Sequence, residues 1–194
     1  MNEATLFLCL TNLAVIGLLP FIFFKKGSFN LKWALTAAPY VLAGAFVVAS
    51  YVGAIPPLTG YHTAWSEMGA VIAVPFSVSS IALIFATMGA HRIPLSLWHQ
   101  QQDRPHHIVT YGPYRRIRHP FYASFLLALF GVVLFAPQVG TLSVLVYGFL
   151  SLNITAGREE RRLRNSEFGS EYQKYMEQAG RFWPKFQSKA VDQV

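Results

Sequence analysis

The sequence predicts an all-α integral membrane protein with five transmembrane helices. Of its 194 residues, 53% are hydrophobic and only 13% are charged, whereas charged residues make up about a quarter of an ordinary soluble domain. The mean hydropathy is +0.35. A chain of this composition is expected to fold with a lipid bilayer as part of its solvent.

Three long apolar runs predict the first three spans, at residues 4–24, 33–53 and 68–88. Each has about 21 residues without a charged side chain. As a helix, a run of this length crosses a hydrocarbon core of about 30 Å.

Two shorter apolar runs, residues 121–135 and 139–153, predict a short helical hairpin as the last two spans. The connector APQVG contains proline and glycine, which is typical of a tight turn. Each run has about 15 residues, so each helix needs flanking residues to cross the core. Pro120 suits the first turn of the fourth helix, which places His119 near the N-cap, beside free backbone N–H groups.

All 16 lysine and arginine residues fall on one side of this five-span arrangement. The positive-inside rule makes that side cytoplasmic, with the amino terminus outside and the carboxyl terminus inside. The net charge of +7 is then explained by membrane anchoring, and nucleic acid is not an expected partner. Arg115, Arg116 and Arg118 are expected to anchor the loop before the hairpin and to attract anionic lipid headgroups.

We expect one structural domain with two parts, a three-span scaffold at residues 1–90 and a catalytic half at residues 91–194. The second part would contain a loop, the hairpin and cytosolic C-terminal helices. After residue 153 the pattern predicts a helix up to Phe168, with Gly169 as its C-cap. Ser170 and Gln173 predict a capping box for a second short helix.

Glu159 and Glu160 lie directly after the fifth span, beside Arg158. A carboxylate near the hydrocarbon boundary is costly without a partner or a ligand, so the pair is a functional candidate. Neighbouring arginines offer a structural explanation instead. Because adjacent helical positions point about 100° apart, at least one carboxylate should face the bundle, where a cationic ligand would suit it.

Other chemistries fit the sequence poorly. The histidines lack the i, i+4 spacing and carboxylate company of a helical zinc site, so no metal is expected. There is no nucleophile elbow and no glycine-rich phosphate loop. The segment YGPYRRIRHPFY instead combines a turn at Gly112 and Pro113 with Tyr114, His119 and Tyr122, which are candidates to face a ligand.

The motifs HHIVTYGPYRRIRHPFY, REERRLRNSEFGSEYQKY and RFWP resemble those of prokaryotic members of the isoprenylcysteine carboxyl methyltransferase family. Wider relatives of that family include the membrane phospholipid N-methyltransferases. The resemblance implies S-adenosylmethionine as cofactor and S-adenosylhomocysteine as product. It implies cofactor contacts from Gln100, His106, Ile108, Val109, Tyr114, His119, Tyr122 and one of Glu159 and Glu160. It also implies that Arg158 binds a substrate carboxylate.

These observations favour methyl esterification of the carboxylate of a lipidated, isoprenylcysteine-like or otherwise hydrophobic substrate, within a setting of membrane lipids. A carboxylate that attacks a methylsulfonium neutralises two charges, which a site without water favours. Methylation of a lipid amine is an alternative, with His119 as a base. A third interpretation is a membrane protein without enzymatic activity that binds lipid or a partner.

Overall fold

The structure, a computed structural model, describes residues 2–23, 31–58, 63–90 and 108–185. Within these ranges the regular secondary structure is helical, as predicted. The α-helices are α1 (Glu3–Phe23), α2 (Leu31–Tyr51), α3 (Thr63–Ala90), α4 (Pro120–Phe135), α5 (Val139–Arg164) and α6 (Gly169–Gln178). A short 3₁₀ helix, Gly112–Arg115, precedes α4.

Two of the described helical segments are long and apolar enough to cross a membrane by length and composition, Glu67–Ala90 and Val139–Arg164. Three shorter apolar segments accompany them, at Glu3–Gly17, Ala38–Tyr51 and Pro120–Phe135. The helices expected from the five apolar runs are therefore present. That all five cross the membrane stays a prediction.

The predicted hairpin is present, since α4 ends at Phe135 and α5 begins at Val139. Its tip is fixed against α2 and the residues after α2. The buried amide of Gln138 donates from Nε2 to the carbonyl oxygen of Phe46 at 2.6 Å. The backbone N–H of Leu58 donates to the carbonyl oxygen of Pro137 at 2.9 Å.

The fifth apolar run and the charged helix after it form one continuous element. α5 runs through residue 153 and on to Arg164, so it gains the flanking residues that the apolar run lacked. It carries Glu159 and Glu160 rigidly at the end of an apolar helix. This continuity fixes the direction in which each carboxylate points.

The predicted boundary between the two C-terminal helices was wrong. α5 ends at Arg164 instead of Phe168, and α6 begins at Gly169 with Phe168 as an N-cap that makes no side-chain hydrogen bond. The predicted capping box at Ser170 and Gln173 is therefore replaced by an earlier start. Gly169 is needed at the junction because a Cβ there would overlap the carbonyl oxygen of Arg164.

The helix α4 packs chiefly along α3. The two backbones approach closely at Gly131, where an added Cβ would lie 3.2 Å from Ser77 Oγ and 3.4 Å from the carbonyl oxygen of Ala73. Small residues at such crossings allow the van der Waals packing that holds helices together where lipid surrounds them.

Buried hydrogen bonds join α1, α3 and α4. Ser80 Oγ donates to the carbonyl oxygen of Ser124 at 2.8 Å, and Asn12 Nδ2 donates to the carbonyl oxygen of Ser77 at 3.3 Å. Polar side chains of this kind link helices in an apolar surrounding. They hold the first turns of α4 in a fixed position relative to the bundle.

We expect Gly131→Leu to separate α3 from α4 and to lower the free energy of unfolding by about 1–3 kcal/mol, the usual cost of overpacking. Thermal unfolding of the purified protein in detergent measures this. Gly157→Leu on α5 is the matched control, because no atom lies within 4 Å of a Cβ built there. Equal losses for both variants would contradict the close crossing.

Candidate active site

The segment before α4 pairs with the segment after α6. The backbone N–H of Arg118 donates to the carbonyl oxygen of Gly180 at 2.8 Å, and the N–H of Gly180 donates to the carbonyl oxygen of Arg116 at 3.0 Å. The N–H of His119 donates to the carbonyl oxygen of Arg181 at 3.0 Å. We call residues 179–185 the strap. These bonds fix the strap against the N-terminus of α4.

Two further features hold the strap and α6 in place. Gly180 is required because a Cβ there would overlap the carbonyl oxygen of Trp183. The hydroxyl of Tyr175 donates to the carbonyl oxygen of Tyr114 at 2.6 Å, and burial raises the pKa of Tyr175 to about 12. Tyr175 therefore stays a neutral donor across the physiological range.

Glu160 is the centre of a buried ion cluster. Its side chain is 2% exposed, and Oε1 accepts from Arg118 at 3.1 Å (Nε) and 2.9 Å (Nη2). Arg181 donates to it in a bidentate manner from one edge of its guanidinium, Nε to Oε1 at 3.0 Å and Nη2 to Oε2 at 2.5 Å. Hydrogen bonds to this carboxylate raise the pKa of Arg181. Both oxygens of Glu160 are thus bound by cations of the same chain.

Each guanidinium has a second anchor. Arg181 Nη1 donates to Asn153 Oδ1 at 2.7 Å. Arg118 Nη1 donates to the carbonyl oxygens of Ala179 and Met176, the latter at 3.4 Å. Planar guanidinium groups held at several atoms lose little freedom when they bind a carboxylate, which makes such pairs well defined.

Glu159 points in a different direction and is 36% exposed. Its Oε1 accepts from the hydroxyl of Tyr122 at 2.7 Å, and its Oε2 lies 3.5 Å from His119 Nδ1. Tyr114 is close enough to Glu159 to feel its charge. Burial is the largest cause that raises the pKa of Tyr114, followed by Tyr175 and the negative charge of Glu159. Glu159 therefore combines fixed partners on α4 with a face that a ligand can reach.

Aromatic rings enclose the inner side of this carboxylate. His119 and Tyr122 stack with ring centroids 5.2 Å apart and 4° between planes. Phe182 of the strap, 4% exposed, meets both rings edge-on, at 6.3 Å and 6.4 Å. Phe149 of α5 completes the contact with Phe182 at 6.3 Å. The wall is aromatic and largely buried, and charges beside it interact more strongly than they would in water.

His119 is the N-cap of α4, as predicted, but its side chain makes no capping hydrogen bond. The ring lies between the two carboxylates instead. Nδ1 faces Glu159, while Nε2 lies 3.3 Å from Glu160 Oε1 without the orientation of a hydrogen bond. This nitrogen is one of the buried polar atoms of the described chain that lack a hydrogen bond.

The structure brings together five of the residues that the sequence singled out, namely Tyr114, His119, Tyr122, Glu159 and Glu160. Ile108 packs against Tyr172 and Tyr175, and Val109 beside it is half-buried. Arg158 lies on the exposed side of α5. The predictions for Gln100 and His106 fall outside the described residues.

Sequence reasoning missed Arg181, Phe182 and Asn153. The first two lie in the motif RFWP, so a signal was present, but nothing in the sequence says what they contact. The expectation that Arg118 anchors the loop in the membrane was wrong. Its side chain is 9% exposed and binds Glu160, whereas Arg115 and Arg116 are exposed.

We expect Gly180→Ala to displace the strap, because the added methyl group would collide with backbone. The strap should then be cut faster by trypsin at Arg181 and Lys185, in a time course of limited proteolysis. Gly157→Ala adds the same methyl group in open space and is the control. Equal cleavage rates in the two variants would mean that the strap does not depend on Gly180.

The comparisons with known proteins give one match. The model of the family described as phospholipid methyltransferase matches residues 66–171, which is more than half of the chain and includes α4, α5 and the paired glutamates. No curated protein and no solved structure matches the chain. With this site and this match, the chain belongs to the phospholipid methyltransferase family.

Proposed function

We propose that this protein is an integral membrane methyltransferase that uses S-adenosylmethionine to esterify the carboxylate of a lipidated or otherwise hydrophobic substrate. The observation that carries the proposal is Glu159, a partly exposed carboxylate at the end of an apolar helix, fixed by Tyr122 and His119. A carboxylate at a membrane boundary is costly without a partner or a ligand, and the exposed part of Glu159 is open to a cationic ligand.

The residues present fit this cofactor. S-Adenosylmethionine carries a sulfonium and an ammonium group, and Glu159 offers an anionic partner for one of them. The partly exposed ring of Tyr114 offers a flat surface of the kind on which an aromatic base can lie, whereas the buried Tyr122 contributes by holding Glu159. Gln100 and His106, which lie outside the described residues, are proposed as further contacts on the strength of the motif resemblance.

When bound, S-adenosylmethionine supplies a methyl group whose S–C bond breaks as the bond to the acceptor forms, leaving S-adenosylhomocysteine. The protein itself orients the cofactor and the acceptor, and it excludes water from the site. The rings of His119, Tyr122 and Phe182 shield the inner side of the site. A carboxylate acceptor is already deprotonated at neutral pH, so it needs no base.

Arg158 is proposed to bind the anionic group of the substrate. On α5 the exposed apolar residues Val146, Leu150 and Ile154 follow one another at i, i+4 spacing, and Arg158 continues the row. A lipid chain that lies along this row would bring its polar end to the guanidinium, which suits carboxylates and phosphates.

We propose the five-span topology with the amino terminus outside and the site at the cytoplasmic face. Exposed apolar side chains on α2, α3 and α5, such as Val41, Val71 and Ile154, support a bilayer around the bundle. The hairpin tip lies with the residues after α2, at the end of α4 and α5 away from the paired glutamates. The distribution of lysine and arginine then supports the orientation.

A second candidate is N-methylation of a lipid amine, which the match to the phospholipid methyltransferase model favours. An amine acceptor has to lose a proton. His119 Nδ1 and Glu159, 3.5 Å apart beside the exposed face, are the groups that could take it.

We expect Glu159→Gln to weaken binding of S-adenosylhomocysteine or S-adenosylmethionine by about 10- to 100-fold, because hydrogen bonds to a charged group contribute about 1.5–3 kcal/mol. Isothermal titration calorimetry on the purified protein measures this. Glu167→Gln, at an exposed position after α5, is the control. Unchanged affinity in Glu159→Gln would remove the basis of the proposal.

Methyl transfer from radiolabelled S-adenosylmethionine separates the two candidates. With a farnesylated cysteine analogue, we expect label that alkali releases as methanol, which marks a methyl ester. Alkali-stable label in an aminophospholipid would instead establish N-methylation. Absence of transfer to either acceptor, together with absence of cofactor binding, would overturn both.

Single cysteines test the topology in a Cys9→Ala background. We expect a membrane-impermeant maleimide to label Ala54→Cys, after α2, in intact cells. Ser170→Cys, exposed on α6, should be labelled only after permeabilisation. Labelling of Ser170→Cys from outside would reverse the orientation.

A further inference from the structure

We infer that the two adjacent glutamates have different roles: Glu159 faces the ligand, whereas Glu160 is a positioning residue that Arg118 and the strap residue Arg181 hold in place. The inference rests on the proposed function, since it assigns roles around that same site. It adds two arginines and the strap to the machinery of the reaction.

Glu160 already has its binding partners within the protein. It is 2% exposed, and both of its oxygens accept from guanidinium groups. A ligand cation would have to displace the nearly buried Arg118 or the partly exposed Arg181 and so break an ion pair with the buried carboxylate of Glu160. Breaking a buried pair in this way is strongly unfavourable. Glu160 is thus satisfied within the protein, while Glu159 keeps an exposed face.

The ion cluster of Glu160 connects distant parts of the chain. Arg118 belongs to the segment before α4, Glu160 to α5 and Arg181 to the strap, so one carboxylate joins three parts of the chain. Each arginine is next to a residue of the aromatic wall. His119 follows Arg118, and Phe182 follows Arg181. The cluster therefore sets the positions of the wall on two sides.

The ion cluster also holds α5 in one rotation about its axis. Adjacent residues on a helix point about 100° apart. When Glu160 is held toward Arg118 and Arg181, Glu159 is directed toward Tyr122 and His119, as observed. Loss of the cluster would leave α5 free to rotate or shift slightly, and Glu159 would lose its place even though its own partners remain.

The test is Arg181→Met in the full-length protein, with Arg181→Lys as the conservative variant. Arg161→Met is the matched control, an exposed arginine of α5. Cofactor affinity by calorimetry and KM and kcat for methyl transfer are measured in each. We expect Arg181→Met to weaken cofactor binding by about tenfold, by analogy with the cost of losing a residue that orients a metal ligand. Arg181→Lys should recover part of it, and Arg161→Met should match the unmodified protein.

A double-mutant cycle with Glu160→Gln examines the pair directly. The two single variants should weaken binding to similar degrees, and the double variant should be little worse than either, because both remove the same cluster. Loss of binding in Glu160→Gln with full binding in Arg181→Met would overturn the inference, since Glu160 would then contact the ligand itself.

Hydrogen exchange gives a readout that needs no cofactor. The backbone N–H groups of Arg118, His119 and Gly180 donate hydrogen bonds that join the strap to the segment before α4. They should exchange faster in Arg181→Met than in Arg161→Met, while exchange in α3 and α4 stays unchanged. Faster exchange would support the positioning role of the ion cluster even if the unmodified protein bound no S-adenosylmethionine, a result that would refute the proposed function alone. Unchanged exchange at these three groups would refute the positioning role.

Discussion

The buried carboxylate of Glu160 is the constraint on which this structure depends. It lies where an apolar helix ends, and it accepts from two guanidinium groups that come from distant parts of the chain. A buried charge needs such partners, because desolvation without them is severe. To supply them, the segment before α4 and the strap must both meet α5 at one point. The candidate site is the surface that forms beside this meeting point.

The bundle and the site use different interactions. Away from the site, α3 and α4 are held by a close crossing at Gly131 and by neutral hydrogen bonds such as the one between Ser80 and Ser124. At the site, ion pairs and aromatic contacts hold the structure instead, with His119 stacked on Tyr122 and Phe182 edge-on to both rings. The first kind of contact tolerates an apolar surrounding on every side. The second places charged groups at one end of the bundle, beside the partly exposed carboxylate of Glu159.

The sequence was enough to predict the helices, the hairpin turn and the N-cap at His119, because hydropathy and proline act locally. It also singled out the paired glutamates. It did not separate their roles, since that depends on the rotation of α5, nor did it find Arg181, whose partner lies 21 positions earlier. The expected cap at Gly169 failed for a similar reason. α6 begins at Gly169, where the backbone lies against the carbonyl oxygen of Arg164. The capping pattern of the sequence does not show this contact.

The position of the strap in chain order bears on biosynthesis. A growing chain contains α1 to α5 before residues 179–185 are made, so Glu160 is present while Arg181 is still missing. Such a nascent protein would have an acidic side chain with one of its two guanidinium partners absent. Synthesis of Arg181 then completes the cluster. A chain that stops short of Arg181 would have all five long helices but an incomplete site.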